Sequence, residues 1–373
     1  MVRKGGLEMT TKENTAEIAR LREAINHVDE TIVEALARRA ELAYQVGLAK
    51  GASPVYRPER EREVIDRAVA KNRALAGRLP EDVLSHLYLE VISACRSLEA
   101  RPSVAYLGPE GTFTEMAVIG QFGSNVTTVP LSTIDETFRA VESGRTNFAV
   151  VPIENSTQGM VTRTMDLLLT TSLSIVGEVS IPICHNLMNR TGRLEDVRRI
   201  AAHPQALAQC RAWIAQHVPQ AELVAASSNA EAAKEALGDS GLAAVAAQRA
   251  AQLYGLKILA PGIQDDARNR TRFLVMGTRC GCAATGRDKT SLIFSVPNRA
   301  GQLFLALKPF KRHGVSMMRL ESRPARNGAW DYNFFVDVEG HAEDENVARA
   351  LDELRNEVSF LKLLGSYPRA AEK

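Results

Sequence analysis

The sequence predicts a multidomain protein with an all-helical, an α/β and a small α+β segment. Residues 14–100 carry apolar side chains in steps of three and four, which is helical spacing. Residues 103–279 alternate short apolar runs with helical patterns, as in α/β folds. Residues 290–368 predict strand, helix, two strands, helix and strand, which is a ferredoxin-like order.

Composition excludes several functional classes. The 46 basic and 44 acidic residues nearly cancel, so charge gives no case for nucleic acid or a membrane surface. No apolar run approaches the roughly 18 residues of a membrane span, and Met1–Asn14 lacks an apolar signal segment. We therefore predict a cytoplasmic protein with small-molecule partners, no nucleic acid and no membrane. Met9 is an alternative start.

Cysteine and glycine patterns give no cofactor site. The five cysteines are scattered, and Cys280 and Cys282 have poor spacing for zinc. The histidines form no HxxxH or HxH pair, and neither GxGxxG nor GK[ST] occurs. The sequence predicts reduced thiols, no metal and no cofactor.

The helical segment predicts a long first helix, from about Ala16 to Lys50. At 1.5 Å per residue it would extend on the order of 50 Å, too far for the two shorter helices, Pro58–Ala76 and Glu81–Glu99, to cover it. We therefore expect a second subunit, in a homodimer with intertwined helices. The apolar positions are Ile18, Leu21, Ile25, Val28, Ile32, Ala35, Leu42 and Val46.

Arg39 interrupts this apolar seam. An unpaired buried charge costs several kcal/mol, so Arg39 is expected to meet an anion. Lys50 lies 11 residues away, about three turns, and shares its face, whereas Arg22 points roughly 100° away and suits a pocket of the partner. On spacing alone, solvated surface charges are the simpler interpretation of Arg22 and Lys50.

Four motifs in this segment resemble the all-helical chorismate mutase family: Leu21-Arg22, Ala37-Arg38-Arg39-Ala40-Glu41-Leu42-Ala43, Val46-Gly47-Leu48-Ala49-Lys50 and Arg57-Pro58-Glu59-Arg60-Glu61. In that family the dimer is intertwined, and each site takes an arginine from the other chain. The resemblance implies catalytic roles for Arg22, Arg39, Lys50 and Glu99 and substrate contacts from Arg57, Arg60 and Glu61. Arg57 stands where some members place an aspartate.

The family's reaction fits these residue types. Chorismate rearranges in one pericyclic step, so catalysis is the positioning of a dianion and of donors aimed at its ether oxygen. Arginines can hold the carboxylates bidentately, and Lys50 can donate to the ether oxygen.

Glu99 stands where other members have a glutamine, which predicts a pH dependence. A carboxyl group donates a hydrogen bond only when it is protonated. We expect mutase activity to fall as pH rises and Glu99 ionises, and Glu99→Gln to remove that fall. A flat profile for both proteins from about pH 5 to 8.5 would contradict the assignment.

The α/β segment places polar loops after predicted strands. Strand Ser103–Leu107 precedes a loop and a helix that Thr112 or Thr114 caps, and strand 148–151 ends at Pro152 before a loop that leads to a helix at 160–169. Such loops offer hydroxyl and N–H groups where α/β folds bind anions. Plain helix capping is the alternative for each loop alone.

Thr271 lies between Arg270 and Arg272 at the start of an apolar run, where a hydroxyl flanked by cations could bind or protonate an anionic molecule. Thr271 belongs to the last of four motifs that resemble prephenate dehydratase and occur in that family's order. The motifs are Gly108-Pro109-Glu110-Gly111-Thr112-Phe113-Thr114, Val151-Pro152-Ile153-Glu154-Asn155-Ser156, His203-Pro204-Gln205 and Asn269-Arg270-Thr271-Arg272-Phe273. The family fold is a two-lobed, periplasmic-binding-protein-like α/β module with its site in the cleft.

The resemblance assigns Thr271 as the essential threonine that donates to the leaving hydroxyl. Substrate contacts are expected from Asn155, Gln209 and Ser228, which are neutral, and from Glu154, which is also expected to orient its loop. In an extended strand, Arg272 points away from Thr271, so we assign Arg272 to an ion pair between the lobes.

The C-terminal segment follows a predicted linker, 280–289. Its motifs Glu321-Ser322-Arg323-Pro324 and Gly301-Gln302-Leu303-Phe304 resemble the phenylalanine-binding motifs of the ACT domain attached to prephenate dehydratases, although Gln302 stands where members often have alanine. The resemblance implies phenylalanine as an effector held by Gly301, Leu303, Glu321, Ser322, Arg323 and Pro324. A plain dimerisation domain is the alternative.

Together the three resemblances imply a bifunctional chorismate mutase and prephenate dehydratase that phenylalanine inhibits. Two alternatives stay open: a monofunctional dehydratase with a helical dimerisation domain, and a non-catalytic amino-acid sensor. The missing dinucleotide fingerprint disfavours a fusion of the mutase with prephenate dehydrogenase.

Overall fold

The computed structural model describes residues 5–50, 56–278, 282–324 and 332–370. The N-terminal part is helical, as predicted, with α1 (Gly5–Lys50), α2 (Pro58–Ala74) and α3 (Glu81–Glu99). Helix α1 begins before the predicted Ala16 because the preceding residues include leucine, glutamate, methionine and lysine, which favour helix. Within these ranges, no helix combines the length and apolar character needed to cross a membrane.

Helix α1 packs along α3 but leaves much of its apolar seam uncovered in the single chain. Ile25 is 59% exposed and Val28 is 56% exposed. The other large apolar residues predicted for the seam are also exposed: Ile18, Leu21, Ile32, Leu42 and Val46. A stripe of this length, open to solvent, is unusual for a monomer.

The middle part has two α/β lobes, which confirms the predicted architecture. The first lobe contains a sheet in the order β2-β1-β3-β11-β5, with β4 paired to β3, and the second a sheet in the order β10-β6-β9-β7-β8. The chain passes between lobes twice, after β5 and before β11. The strands are β1 (Ser103–Leu107), β2 (Thr127–Leu131), β3 (Phe148–Asn155), β4 (Gly159–Met160), β5 (Ser174–Pro182), β6 (Asn186–Asn189), β7 (Arg199–Ala202), β8 (Glu222–Ala225), β9 (Leu242–Ala246), β10 (Lys257–Ala260) and β11 (Arg270–Gly277).

Helices flank both sheets: α4 (Phe113–Phe122), α5 (Ile134–Glu142), α6 (Thr162–Thr170), α7 (Pro204–Gln209), α8 (Arg211–His217), α9 (Asn229–Gly238) and α10 (Gln248–Tyr254). Of the two candidate caps predicted for the first of these helices, Thr112 is the one that caps it. Thr112 Oγ1 accepts from the N–H of Glu115 at the start of α4, and Ser228 Oγ accepts from the N–H of Glu231 at the start of α9.

The predicted end of β3 at Pro152 was wrong. The strand continues to Asn155 because the register with β11 shifts between Arg272 and Phe273, opposite Pro152. A proline that lacks an N–H is tolerated at such an irregularity. Glu154 and Asn155 are therefore strand residues whose side chains point to opposite faces of the sheet.

The C-terminal part has the predicted βαββαβ order: β12 (Asp288–Val296), α11 (Gln302–Arg312), β13 (Met317–Pro324), β14 (Tyr332–Glu339), α12 (Glu345–Glu357) and β15 (Phe360–Pro368). Its antiparallel sheet has the order β13-β14-β12-β15. The predicted linker was too long, since Asp288 and Lys289 are buried residues of β12. Cys280 and Gly281 of that linker lie outside the described residues.

This C-terminal sheet covers one face of the first lobe. Gly365 of β15 passes so close to β5 that an added Cβ would lie 2.2 Å from the Ile175 carbonyl oxygen. Leu364 and Tyr367 join Leu274 of β11 in one buried apolar cluster. The strand that carries Thr271 is therefore packed against the C-terminal domain.

Arg96 anchors the helices to the first lobe. It is 6% exposed, pairs with the Glu61 carboxylate, donates to the Phe122 carbonyl at the end of α4, and lies 5.5 Å from the Tyr56 ring centroid. Burial raises the pKa of Glu61, and Arg96 opposes that shift. The predicted substrate ligand Glu61 thus belongs to a buried ion pair at the junction of two domains.

We expect Arg96→Gln to destabilise the protein by about 3–5 kcal/mol, because it leaves a buried carboxylate without its cation. Thermal unfolding measures this loss. The control is Arg73→Gln, whose exposed pair with Glu81 should contribute about 0–1 kcal/mol. Equal stability of the two variants would contradict the role given to Arg96.

Candidate active sites

Strands β11 and β3 place Thr271 directly opposite Asn155. The amide Nδ2 of Asn155 donates to Thr271 Oγ1 at 2.9 Å and to Asn269 Oδ1 at 2.8 Å. Its Oδ1 accepts from the backbone N–H groups of Thr157 and Gln158, both at 3.1 Å, which fixes the amide orientation. Because Thr271 Oγ1 accepts this bond, its own proton is left to donate to another group.

His185 joins the two lobes at Phe113 and Gln209. Its Nε2 lies 2.9 Å from Gln209 Oε1, and the Phe113 ring packs edge-on against it at 5.4 Å. Sequence reasoning predicted Gln209 and missed His185, which has no neighbouring histidine or cysteine-pair pattern to mark it. Its place directly after β5, where the chain enters the second lobe, was the available signal.

An ion pair closes the same side of the cleft. Arg249 of α10 donates twice to Glu115 Oε1, at 3.1 and 3.0 Å, and Glu115 Oε2 accepts from the Gly111 N–H. Gly111 has a φ of +85°, and an added Cβ would lie 3.3 Å from Ala250 of the second lobe. Arg249 and Glu115 were not predicted, because neither lies in a motif that the sequence singled out for chemistry.

Among the helices, α1 and α3 bring the predicted residues Lys50 and Glu99 together, while Arg39 contacts α3 separately. Lys50 Nζ lies 3.6 Å from Glu99 Oε2, and Arg39 Nη1 donates to the Val91 carbonyl at 3.4 Å. Gly47 makes room for Glu99, since an added Cβ would lie 2.6 Å from Glu99 Cγ. The Lys50 ammonium thus faces a carboxylate, whereas Arg39 acts to lower the pKa of nearby Glu61.

The other predicted mutase residues are not brought into contact with this group. Arg57 pairs with Glu59, and Arg60 pairs with Glu63, on the partly exposed surface of α2. The side chain of Arg22 is exposed and makes no hydrogen bond or ion pair with the described residues.

Comparison with known families decides the identity. Family models match for chorismate mutase type II at residues 21–100, prephenate dehydratase at residues 104–280 and the ACT domain at residues 290–356. The bifunctional chorismate mutase/prephenate dehydratase of Aquifex aeolicus is 43% identical over 357 residues, covering 95% of this chain and 98% of the relative. The chain belongs to the bifunctional chorismate mutase/prephenate dehydratase family.

Solved structures resemble the dehydratase and ACT parts. A prephenate dehydratase from Arthrobacter aurescens, in complex with L-Phe, has a TM-score of 0.67 and 37% identity over 72% of this chain and 90% of its own. A structure described as GqqA, a novel type of quorum quenching acylase, has the same TM-score and 36% identity over 72% of this chain and 98% of its own. Similarity of this kind shows the fold, so activity has to be argued from the sites.

Glu154 does not belong to the dehydratase cleft, which corrects its prediction as a substrate contact. It lies on the face of β3 opposite to Asn155, where Arg319 of the ACT domain binds its carboxylate. Arg272 lies on that same face and pairs with Asp337 at 2.7 Å. Its ion pair therefore joins the dehydratase to the ACT domain, and the predicted pair between the lobes was wrong.

The two predicted phenylalanine motifs occupy different parts of the ACT domain. Gly301, with φ +83°, begins α11, and Leu303 packs into the ACT core. Residues 321–324 end β13, an edge strand that β14 separates from β12. Arg323 donates to the Thr162 carbonyl at 3.1 Å and lies 3.4 Å from Asp166. This motif thus reaches the dehydratase helix α6.

Burial of His185 is expected to make the stability of the protein depend on pH. Burial lowers its pKa below the ordinary 6.5, and the bond to Gln209 only partly opposes this. Folding favours the neutral imidazole of His185. Its contribution to the free energy of unfolding is therefore complete above about pH 6.5 and declines as the pH falls below that value, by about 1.4 kcal/mol per pH unit. Unfolding measured between about pH 5.5 and 7.5 should show a smaller decline for His185→Gln. Exposed His217→Gln is the control, and parallel curves for all three proteins would contradict this role.

Proposed function

We propose that this chain carries out both reactions of its family through the residues described above. It rearranges chorismate to prephenate in the helical domain, and it dehydrates and decarboxylates prephenate to phenylpyruvate in the two-lobed domain. The observation that carries the proposal is the Asn155–Thr271 pair, in which Asn155 Nδ2 donates to Thr271 Oγ1 and leaves the hydroxyl proton to donate to another group. Separate assays of chorismate loss and phenylpyruvate formation test it; absence of one activity supports a monofunctional enzyme, and absence of both supports a sensor.

In the dehydratase, Thr271 donates a hydrogen bond to the ring hydroxyl that leaves. The C–O bond breaks with its electron pair, the ring carboxylate leaves as CO2, and the electrons of its C–C bond complete the aromatic ring. The departing hydroxide takes a proton from solvent and becomes water, so the reaction consumes one proton. Threonine is a weak acid, so a strong hydrogen bond is its main contribution. Gln209 and Ser228 are proposed as neutral contacts to the rest of prephenate.

Neutral contacts suit this reaction because a cation on the ring carboxylate would stabilise the substrate rather than the transition state. The nearby cations are engaged elsewhere. Arg249 is paired with Glu115, and Arg270 donates to Ser180 Oγ at 3.2 Å and to the Ser180 carbonyl at 3.0 Å. Arg272 lies on the opposite face. The proposed site therefore uses amides and hydroxyls at its centre.

In the mutase, Arg39 and the partner's Arg22 are proposed to hold the carboxylates of chorismate. Lys50 donates to the ether oxygen, where negative charge develops as the C–O bond breaks. Because Glu99 lies 3.6 Å from Lys50, bound chorismate has to share that ammonium with a carboxyl group. Protonated Glu99 would instead add a donor to the same oxygen.

A homodimer is proposed because the long apolar seam of α1 has no cover within the described chain. We propose that a second copy of the chain covers the seam, because two identical apolar seams can pack against each other under twofold symmetry. Such a dimer would also supply a second Arg22. Sedimentation should give a dimer mass. The double variant Ile25→Glu/Val28→Glu should sediment as a monomer and lose mutase activity; an unchanged mass would contradict the proposal.

Phenylalanine is proposed as the inhibitor, bound by the ACT motifs at Gly301 and residues 321–324. Isothermal titration with phenylalanine tests this, and Gly301→Ala should weaken binding, because φ of +83° is strained for any residue with a Cβ. No heat of binding to the wild type would contradict it. We also propose domain limits of 14–100, 103–279 and 290–368, and a cytoplasmic location consistent with four free cysteines in the described chain.

A further inference from the structure

Six charged side chains lie between the dehydratase sheet and the ACT sheet, and we call them the interdomain ion cluster. Three are cations and three are anions, so the cluster has no formal net charge. Its ion pairs join β3, β5 and β11 of the dehydratase to β12, β13 and β14 of the ACT domain. The members are Glu154, Glu178, Arg272, Lys289, Arg319 and Asp337.

The centre of the cluster is buried and well bonded. Lys289 Nζ lies 2.8 Å from both carboxylate oxygens of Glu178, and Arg272 Nη1 lies 2.7 Å from Asp337 Oδ2. Ser291 donates to Asp337 Oδ1 at 2.6 Å. Although burial acts to raise it, the pKa of Asp337 is held below its usual range by Arg272 and Lys289. This part of the cluster is fixed.

The edge of the cluster lies directly behind the dehydratase site. Glu154 and Arg272 are opposite each other in the β3–β11 register, one position from the Asn155–Thr271 pair. The two pairs project from opposite faces of the same two strands. A shift of Glu154 therefore moves the backbone that carries Asn155, whose amide sets the direction of the Thr271 hydroxyl.

Glu154 lies between two cations but is bonded to one of them. Its Oε2 pairs with Arg319 Nη2 and lies 3.7 Å from Arg272 Nε, a buried N–H without a hydrogen-bond partner among the described residues. A small movement of the carboxylate would exchange Arg319 for Arg272 Nε. Unlike the fixed centre, this edge leaves one buried N–H of Arg272 within reach of a carboxylate that is bonded elsewhere.

Arg319 belongs to β13, the strand that also ends in residues 321–324. It donates to the Met160 sulfur at 2.8 Å as well as to Glu154, and Arg323 of the same strand binds the start of α6. Strand β13 thus contacts the chain before and after the 155–159 loop. A ligand that displaces the end of this strand would therefore shift the residues that flank Asn155 on both sides.

We propose that Arg319 is a positioning residue for the dehydratase reaction, which acts through Glu154 on the Asn155–Thr271 pair and transmits effector binding to it. The proposal rests on the dehydratase function assigned to Thr271. Dehydratase turnover would then depend on a side chain of the ACT domain. In this mechanism, binding at the end of β13 withdraws Arg319, and Glu154 turns to Arg272 Nε.

The test measures the full-length protein and its variants Arg319→Gln, Glu154→Gln and the double variant. We expect each single variant to lower kcat for prephenate by about 10- to 100-fold with little change in KM, because a misplaced donor costs turnover more than binding. The double variant should lose no more than either single one, since both break the same contact. Calorimetry should still detect phenylalanine binding to Arg319→Gln, while added phenylalanine changes its remaining activity far less than that of the wild type.

The matched control is Arg312→Gln, which removes an exposed ion pair with Glu353 in the same ACT domain. It should keep wild-type kinetics and inhibition. Arg319→Lys keeps the charge and should recover part of the activity if Arg319→Gln folds poorly. Wild-type kcat and inhibition in Arg319→Gln would overturn the proposal, as would additive losses in the double variant. Loss of dehydration in Thr271→Ala together with an unaffected Arg319→Gln would reject this inference alone and leave the dehydratase function standing.

Discussion

Thr271→Val is expected to lower the rate of phenylpyruvate formation from prephenate by about 10²–10³-fold, the effect of removing one preorganised donor from a reacting oxygen. Valine keeps the β-branched shape that suits strand β11 and removes only the hydroxyl. Asn155 would keep its bond to Asn269 Oδ1 at 2.8 Å, so the surrounding network should persist. The loss should therefore appear in kcat, with stability almost unchanged.

Three further variants and one further assay separate chemistry from folding in this experiment. Thr271→Ser restores a hydroxyl and should recover much of the activity, while Thr271→Ala should lose as much as valine does. Thr170→Ala, on the exposed side of α6, controls for loss of a threonine in the same domain. Chorismate mutase activity should be unchanged in all of them. A Thr271→Val protein that dehydrates prephenate at the wild-type rate would remove the central assignment of the dehydratase site.

Local pattern was enough to predict the elements that position Thr271. The apolar run after it predicted a strand, and one of the two hydroxyls predicted to cap the first helix of the α/β segment, that of Thr112, does so. These features depend on residues within one turn or one strand, so they can be found in a single sequence. The strand period also placed Arg272 on the face opposite Thr271.

Partners across domain boundaries could not be predicted from the same patterns. Arg272 was assigned a partner in the other lobe, but Asp337 lies 65 residues further along the chain in a different domain. Glu154 was assigned to a loop because Pro152 normally ends a central strand, and the register shift that tolerates it involves β11. Arg96 and His185 were missed for a related reason, since their partners are set by how the domains and lobes pack.

Lys50→Met is expected to lower mutase kcat by about 10²–10³-fold, because methionine keeps the length of the side chain but provides no donor for the ether oxygen. Prephenate dehydration should be unchanged. Lys71→Met is the matched control, since Lys71 lies exposed on α2. Mutase activity measured by chorismate loss tests this, and a wild-type kcat in Lys50→Met would contradict the role of Lys50.

Glu99 decides how the Lys50 result has to be interpreted. Its carboxylate lies 3.6 Å from the Lys50 ammonium, so it competes with incoming chorismate for that cation. If Glu99 matters only as that competitor, Glu99→Gln should raise activity, and Glu99→Gln/Lys50→Met should match Lys50→Met. If Glu99 also acts as a donor, glutamine supplies a donor at the same place, and the double variant should exceed Lys50→Met. We expect the second result, because a glutamine at position 99 keeps a hydrogen-bond donor where charge develops on the ether oxygen.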